Sequence, residues 1–220
     1  MTTVERDLRV AIVESCIWMN ANGINQGTSG NISARFGDRM LISPSAIPYD
    51  RMTPEMVASI RLDDRSGRWD GPLKPSTEWR MHQTLFQGRE DIHAIVHAHP
   101  TFCTVLAMAR MPIPPCHYMI AAFGGNTIRC ADYATFGTRK LADFALAAMD
   151  GRMACLLANH GMISVGTTLD EAMWRATELE TIARQYHHSL QIGGPALLSE
   201  AEVGETIAAF SDYGNHAGDG

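Results

Sequence analysis

Apolar positions along the chain follow two rhythms. Near the start, Val4, Leu8 and Ile12 recur every four residues, the spacing of one helix face, and Thr2 with Glu5 forms a capping-box start. That helix is predicted to end near Asn22-Gly23. Shorter apolar runs then read as strands over residues 32–36 and 40–43. A third strand, over 59–68, enters the turn Asp64-Arg65-Ser66-Gly67, and Thr53-Pro54-Glu55 marks a helix start with proline at the first helical position. Helices are predicted over 78–87, 101–110 and 138–149, with strands over 92–99, 153–158 and 162–165. Two further capping boxes, Thr168 with Glu171 and Ser199 with Glu202, open a long helix toward Leu190 and a last one to about Phe210. Helices and strands alternate irregularly, without internal repeat or linker. This predicts one α/β domain over residues 1–214, its helices covering a mixed sheet, followed by a disordered tail over 215–220.

Composition narrows the function. With 45% hydrophobic residues the chain can bury a full core. The net charge of -6 and the lack of any basic run argue against nucleic acid as a partner. An anionic substrate must therefore be held by local donors. No apolar stretch approaches the roughly 20 residues of a membrane span. Five scattered cysteines, none in C-x-x-C spacing, and a charged N-terminus point to a reduced, cytoplasmic protein.

The candidate chemistry centres on histidine. His97-Ala98-His99 closes one apolar run, and His160 follows another. Residues two apart on a strand share a face, so His97 and His99 can meet one ion, with His160 as a third ligand and a coordination position left open. Hydrogen-bonded strand-end histidines are the competing reading. Three polar loops, Thr28-Ser29-Gly30-Asn31, Ser43-Pro44-Ser45-Ala46 and Lys74-Pro75-Ser76-Thr77, together offer an anion cradle, though each alone also reads as ordinary turn chemistry. Glu78, in the first turn of a helix, is by default favoured there by the helix dipole; the sharper reading makes it a metal ligand or general base. His82 reads as a satisfied structural histidine, and Tyr118 and Tyr213 carry no role legible from their own surroundings.

Seven segments in order carry a resemblance: GTSGNIS (27–33), ISPSAIPYD (42–50), KPSTEWRMH (74–82), IVHAHP (95–100), HYMIAAFGGNTI (117–128), YATFGTR (133–139) and LLANHG (156–161). Together they resemble the class II, zinc-dependent aldolase family, its L-fuculose-1-phosphate branch in particular. The resemblance implies a three-layer α/β/α domain around a largely antiparallel sheet, as in class II aldolase and adducin-like folds. It implies a cytoplasmic C4 homotetramer with active sites between subunits and one Zn²⁺ per subunit. His97, His99, His160 and Glu78 would hold that ion, with Glu78 then serving as acid/base. Gly30, Asn31, Ser45, Ala46, Ser76 and Thr77 would hold the substrate phosphate. Tyr118, from a neighbouring subunit, would protonate the aldehyde oxygen in the synthetic direction, and Tyr213 would help close the site. The implied reaction cleaves a ketose 1-phosphate, foremost L-fuculose 1-phosphate, to dihydroxyacetone phosphate and L-lactaldehyde. L-ribulose-5-phosphate 4-epimerase chemistry, a metal-dependent decarboxylation and a non-catalytic adducin-like module are the alternatives. The epimerase branch usually has aspartate where this chain has Glu78. The chain also departs from the aldolase pattern at Ala46, where glycine is usual, and at Ser45, where threonine is.

Overall fold

The computed structural model describes residues 1–212. The helices are α1 (Thr3–Ala21), α2 (Trp79–Gly88), α3 (Thr101–Met108), α4 (Arg139–Ala148), α5 (Leu169–Leu190) and α6 (Glu200–Asp212). The strands are β1 (Asn31–Phe36), β2 (Arg39–Ile42), β3 (Ala58–Arg61), β4 (Ala94–Ala98), β5 (Arg129–Ala131), β6 (Ala154–Leu157) and β7 (Gly161–Gly166). They form one sheet in the order β3-β2-β1-β4-β7-β6-β5. Every neighbouring pair is antiparallel except β5 with β6.

Side chains alternate between the two faces of a strand, so each strand feeds two cores. Ile32, Ala34, Leu41, Val96, Leu156 and Met162 pack with residues of α1, α3 and α5. Met40, Ile42, Ile60, Ile95, Cys155 and Ile163 pack with residues of α2 and α4. The result is the three-layer α/β/α arrangement that the resemblance implies. By the same alternation His97, between Val96 and Ala98, falls on the α2 side of the sheet.

The helix starts follow the sequence signals. Thr2 Oγ1 accepts from the Glu5 N–H at 3.2 Å, and Thr168 Oγ1 accepts from the Glu171 N–H at 3.2 Å. Ser199 and Glu202 bond reciprocally. The buried stripe of α1 is Ile12, Cys16 and Met19, whereas Val4, counted in the expected stripe, is 68% exposed. Thr53-Pro54-Glu55 opens only a single 3-10 turn, Pro54–Met56, because the chain buries Val57 at once and enters β3. β3 stops at Arg61 rather than running to 68. Asp64 Oδ1 accepts from the Ser66 N–H at 2.8 Å, a side-chain turn that competes with further strand. Three elements escape the hydrophobic pattern, all too short to show a period: the 3-10 turn Tyr49–Arg51, a 3-10 stretch, Tyr118–Phe123, and the three-residue β5.

All five cysteines are free, and Cys16, Cys103 and Cys155 are buried as small core residues. Among the described residues no helix is long and apolar enough to cross a membrane.

Candidate active site

Antiparallel pairing of β4 with β7 aligns His97 with Ile163 and Ala98 with Met162. His99 directly follows β4 and His160 directly precedes β7, so both project at the same end of the sheet. Gly161 makes the approach possible: a Cβ there would fall on the His99 ring and the Ala98 carbonyl. The three ring centroids stand 4.8 to 4.9 Å apart, and one ligand nitrogen from each ring lies within 4.8 Å of the others. His97 Nε2 and His99 Nε2 are 3.0 Å apart. His97 Nδ1–H donates to the Met162 carbonyl at 2.9 Å, which turns Nε2 toward the cluster.

Glu78 is the N-cap residue of α2, but its side chain makes no capping bond, so the default helix-cap reading does not hold. The carboxylate turns inward instead. Its Oε2 accepts from His97 Nε2 at 2.9 Å and from Asn31 Nδ2 at 3.1 Å. Its Oε1 is buried, 3.5 Å from His160 Nε2, and has no hydrogen-bond partner. Burial works against the Glu78 charge, yet the charge and hydrogen bond of His97, helped by His160 and Asn31, hold its pKa well below the ordinary 4.5. His97 is the mirror case: burial opposes its charge, but Glu78 raises its pKa above 6.5. His99 and His160 are pushed down to about 3 and about 4, by burial first and by repulsion from His97 second.

This donor set fits a divalent metal. Zinc–nitrogen bonds of about 2.0–2.1 Å in a tetrahedron place ligand nitrogens about 3.3 Å apart, close to the 3.0 Å between His97 Nε2 and His99 Nε2, with all three rings' ligand nitrogens within 4.8 Å. The orphaned Glu78 Oε1 is a fourth donor with no other use. His99 and His160 are already neutral, whereas His97 must give up its proton to ligate. Because Glu78 raises the His97 pKa, loading the metal-free protein is therefore expected to release protons, more as the pH is lowered. Titration calorimetry in buffers of different ionisation enthalpy reads their number directly. Zero release would show that His97 is neutral beforehand.

A cavity of about 440 Å³ opens beside the cluster, walled in part by Glu78, His99 and His160. Its lining also includes all six residues of the expected phosphate cradle: Gly30, Asn31, Ser45, Ala46, Ser76 and Thr77. Two of its loops are zipped together, since the Ser45 N–H donates to the Lys74 carbonyl and the Ser76 N–H to the Ser43 carbonyl, each at 3.0 Å. Gly30 admits no side chain, because a Cβ would come within 2.8 Å of both Asn25 Oδ1 and the His97 carbonyl.

Ala46 has φ +59°, the left-handed region where glycine is at ease. Relief of about 1–2 kcal/mol of strain, less about 0.5–1 kcal/mol of added chain entropy, predicts that Ala46→Gly stabilises the fold by about 0.5–1 kcal/mol. Urea denaturation checks this. A loss of stability would mean that the alanine methyl makes a compensating contact.

Other expected residues lie apart. Tyr118 begins the Tyr118–Phe123 stretch, is 53% exposed, and stacks on Phe210 at 6.5 Å beside a different cavity that includes Trp174. Tyr213 and the expected tail over 215–220 lie outside the described residues. His82 is fully buried and satisfied, as expected, by Ser33 Oγ at 2.6 Å and by a site residue, Asn31, through its Oδ1 at 2.5 Å. Tyr133, Phe136 and Asn159 also wall the cavity and were not singled out by motif. Two aromatics in the short polar turn Tyr133-Ala134-Thr135-Phe136-Gly137 were the available signal. Asn159 holds φ +53° beside His160, its side chain fixed by Arg110 Nε at 3.0 Å and the Met108 carbonyl at 3.3 Å.

A three-histidine group that could hold a metal ion, beside a cavity lined by three polar loops on a mixed three-layer fold, is what comparison with known proteins has to account for. Residues 10–187 match the family model of the class II aldolase and adducin N-terminal domain. The chain is 46% identical over 210 residues to the 5-methylthioribulose-1-phosphate/5-deoxyribulose-1-phosphate aldolase of Rhodospirillum rubrum, spanning 96% of this chain and 94% of that one. It is 43% identical over 204 residues to the L-fuculose phosphate aldolase of Escherichia coli O6:H1, spanning 92% and 94%. A solved structure of L-fuculose 1-phosphate aldolase superposes with a TM-score of 0.90 at 34% identity, over 96% of this chain and 98% of the other. The chain belongs to the class II aldolase family, and it is an aldolase.

Proposed function

We propose that this enzyme is a zinc-dependent aldolase that reversibly cleaves a ketose 1-phosphate to dihydroxyacetone phosphate and a small aldehyde. The observation that carries this reading is a buried carboxylate, Glu78, in contact with His97, near His160, and lining one cavity together with His99, His160 and the residues of the three polar loops. In this reading His97, His99, His160 and, at rest, Glu78 hold one Zn²⁺ per subunit. The ion, when bound, stabilises negative charge on substrate oxygens as a Lewis acid. Gly30, Asn31, Ser45, Ala46, Ser76 and Thr77 receive the phosphate through backbone N–H groups, hydroxyls and one amide. Breaking the carbon–carbon bond beside the carbonyl leaves an enediolate of the three-carbon fragment. In cleavage the protonated Glu78 gives a proton to this carbon while Tyr118 takes the hydroxyl proton of the departing aldehyde; in synthesis Glu78 removes the carbon's proton and Tyr118 protonates the aldehyde oxygen.

Tyr118 is half-exposed and remote from the cavity of its own chain, which suits donation to the aldehyde oxygen in a neighbouring subunit of a cytoplasmic C4 homotetramer. Tyr213 is proposed to close the site. The sugars in the relatives' names end in methyl or methylthio groups, and Phe136 and Tyr133 offer apolar surface to such an end.

The test is release of dihydroxyacetone phosphate, followed by a coupled hydride assay, from L-fuculose 1-phosphate, 5-deoxyribulose 1-phosphate and 5-methylthioribulose 1-phosphate, with and without chelator. Chelator-sensitive release is expected, and kcat/KM ranks the sugars. Release that survives complete metal removal would sink the zinc reading. No release from folded, metal-loaded protein would move the assignment to the epimerase or decarboxylase reactions.

A further inference from the structure

Behind Glu78 lies a hydrogen-bonded chain of side chains whose far members, His82 and Ser33, have no part in the reaction proposed above. It runs Ser33 Oγ to His82 Nδ1 at 2.6 Å, His82 Nε2 to Asn31 Oδ1 at 2.5 Å, and Asn31 Nδ2 to Glu78 Oε2 at 3.1 Å. All four residues are buried, with at most 4% of any of them exposed. Three elements meet there: Asn31 and Ser33 are alternate residues of β1, His82 lies one helical turn after Glu78 on α2, and Asn31 pairs with His97 of β4. Neighbours i and i+4 on a helix, facing i and i+2 on a strand, can close such a chain without loops.

The direction of every bond follows from the amide between Glu78 and His82. Asn31 presents its NH₂ to Glu78 and its oxygen to His82. That oxygen needs a donor, so His82 carries its proton on Nε2. Nδ1 is then a bare acceptor, and Ser33 must donate to it. A ring protonated on both nitrogens would break this order; burial, aided by repulsion from His97, pushes the His82 pKa down to about 3. Every donor in the chain thus points toward Glu78, and each bond polarises the next.

We propose that His82 and Ser33 are positioning residues for Glu78, acting by fixing which end of the Asn31 amide faces the carboxylate. Without the imidazole donor the amide is free to turn over and set its oxygen against Glu78, acceptor against acceptor. A histidine that merely fills the core would have no such effect on turnover. The inference rests on the aldolase role proposed above for Glu78.

His82→Leu, which keeps bulk and removes the donor, is expected to lower kcat per metal-loaded site by about 10–100-fold, the usual cost of losing an outer hydrogen-bond partner. KM is expected to stay within about threefold, since the loss falls on the step Glu78 performs. His82→Gln, whose amide N–H can reach the place of Nε2, is expected to recover most of kcat. Wild-type kcat in His82→Leu, or equal losses in the leucine and glutamine variants, would overturn the proposal. Should His82→Leu fail to fold, Ser33→Ala takes its place: kcat falls in the same direction, and wild-type kcat in that folded variant would overturn it. One readout needs no substrate. Nitrogen-15 shifts of the His82 ring in the metal-free protein are expected to show the neutral Nε2–H form. An Nδ1–H form or an imidazolium would overturn the proposal even if no ketose phosphate were cleaved by the wild type, an outcome that by itself strikes only the assigned reaction.

Discussion

Glu78→Gln is expected to give a folded protein that still takes up a divalent metal but turns substrate over about 10²–10⁴-fold more slowly, the range associated with a lost general acid/base. The amide oxygen can take the place of Oε2 and still accept from Asn31, while its NH₂ takes the place of Oε1 beside His160. What disappears is a group able to take and return a proton. The same substitution removes the charge that keeps His97 protonated, leaving burial to lower its pKa. Proton release on metal loading should then fall. Metal content, turnover and proton count are three separate measurements on one variant. Full turnover would remove Glu78 from the reaction, while unchanged proton release would detach His97 from Glu78.

His97→Ala is expected to abolish tight metal binding and, measured with chelator present, to destabilise the metal-free fold by about 3–5 kcal/mol, because it strands a buried carboxylate. The pH dependence follows from the two shifts. Glu78 titrates below its ordinary 4.5, so its contribution is complete above that value and is lost as pH falls through the folded pKa. His97 titrates above its ordinary 6.5, so its contribution is complete below that value and is lost as pH rises through the folded pKa. The pair is therefore strongest between 4.5 and 6.5, and the cost of His97→Ala should peak there. Adding Glu78→Gln to His97→Ala should return part of the stability, since no charge is then left unpaired. Urea melts at several pH values check this, and additive losses in the double variant would show that the two residues do not couple.

Much of this site was legible from spacing. Two histidines two apart at the end of one strand, and a third just before another, converge because β4 and β7 are antiparallel neighbours. The capping boxes placed three helix starts, because a hydroxyl three residues before a glutamate is a local signal needing no tertiary context. Other features were hidden because they are not local. Glu78 sits where a helix favours any carboxylate, and only the packing of α2 against β1 and β4 reveals that its side chain turns inward instead. His82 looked like a core histidine and is one; its link to Glu78 passes through Asn31, 51 residues earlier in the chain. Tyr133, Phe136 and Asn159 belong to turns, whose geometry no periodicity records. β5 has three residues, and its strand character comes from pairing with β6.

The cavity draws its parts from two sources. The histidines, Glu78 and Asn31 come from the middle of the sheet and the start of α2, where a change of residue disturbs the core. Tyr133 and Phe136 come from an exposed turn, 52% and 62% accessible, where most replacements alter stability little. Mutation can therefore explore the rim while selection holds the interior still. A lineage built on this plan can wander from one sugar phosphate to another by rim changes alone, so its members are expected to diverge in preferred aldehyde sooner than in the bond they break.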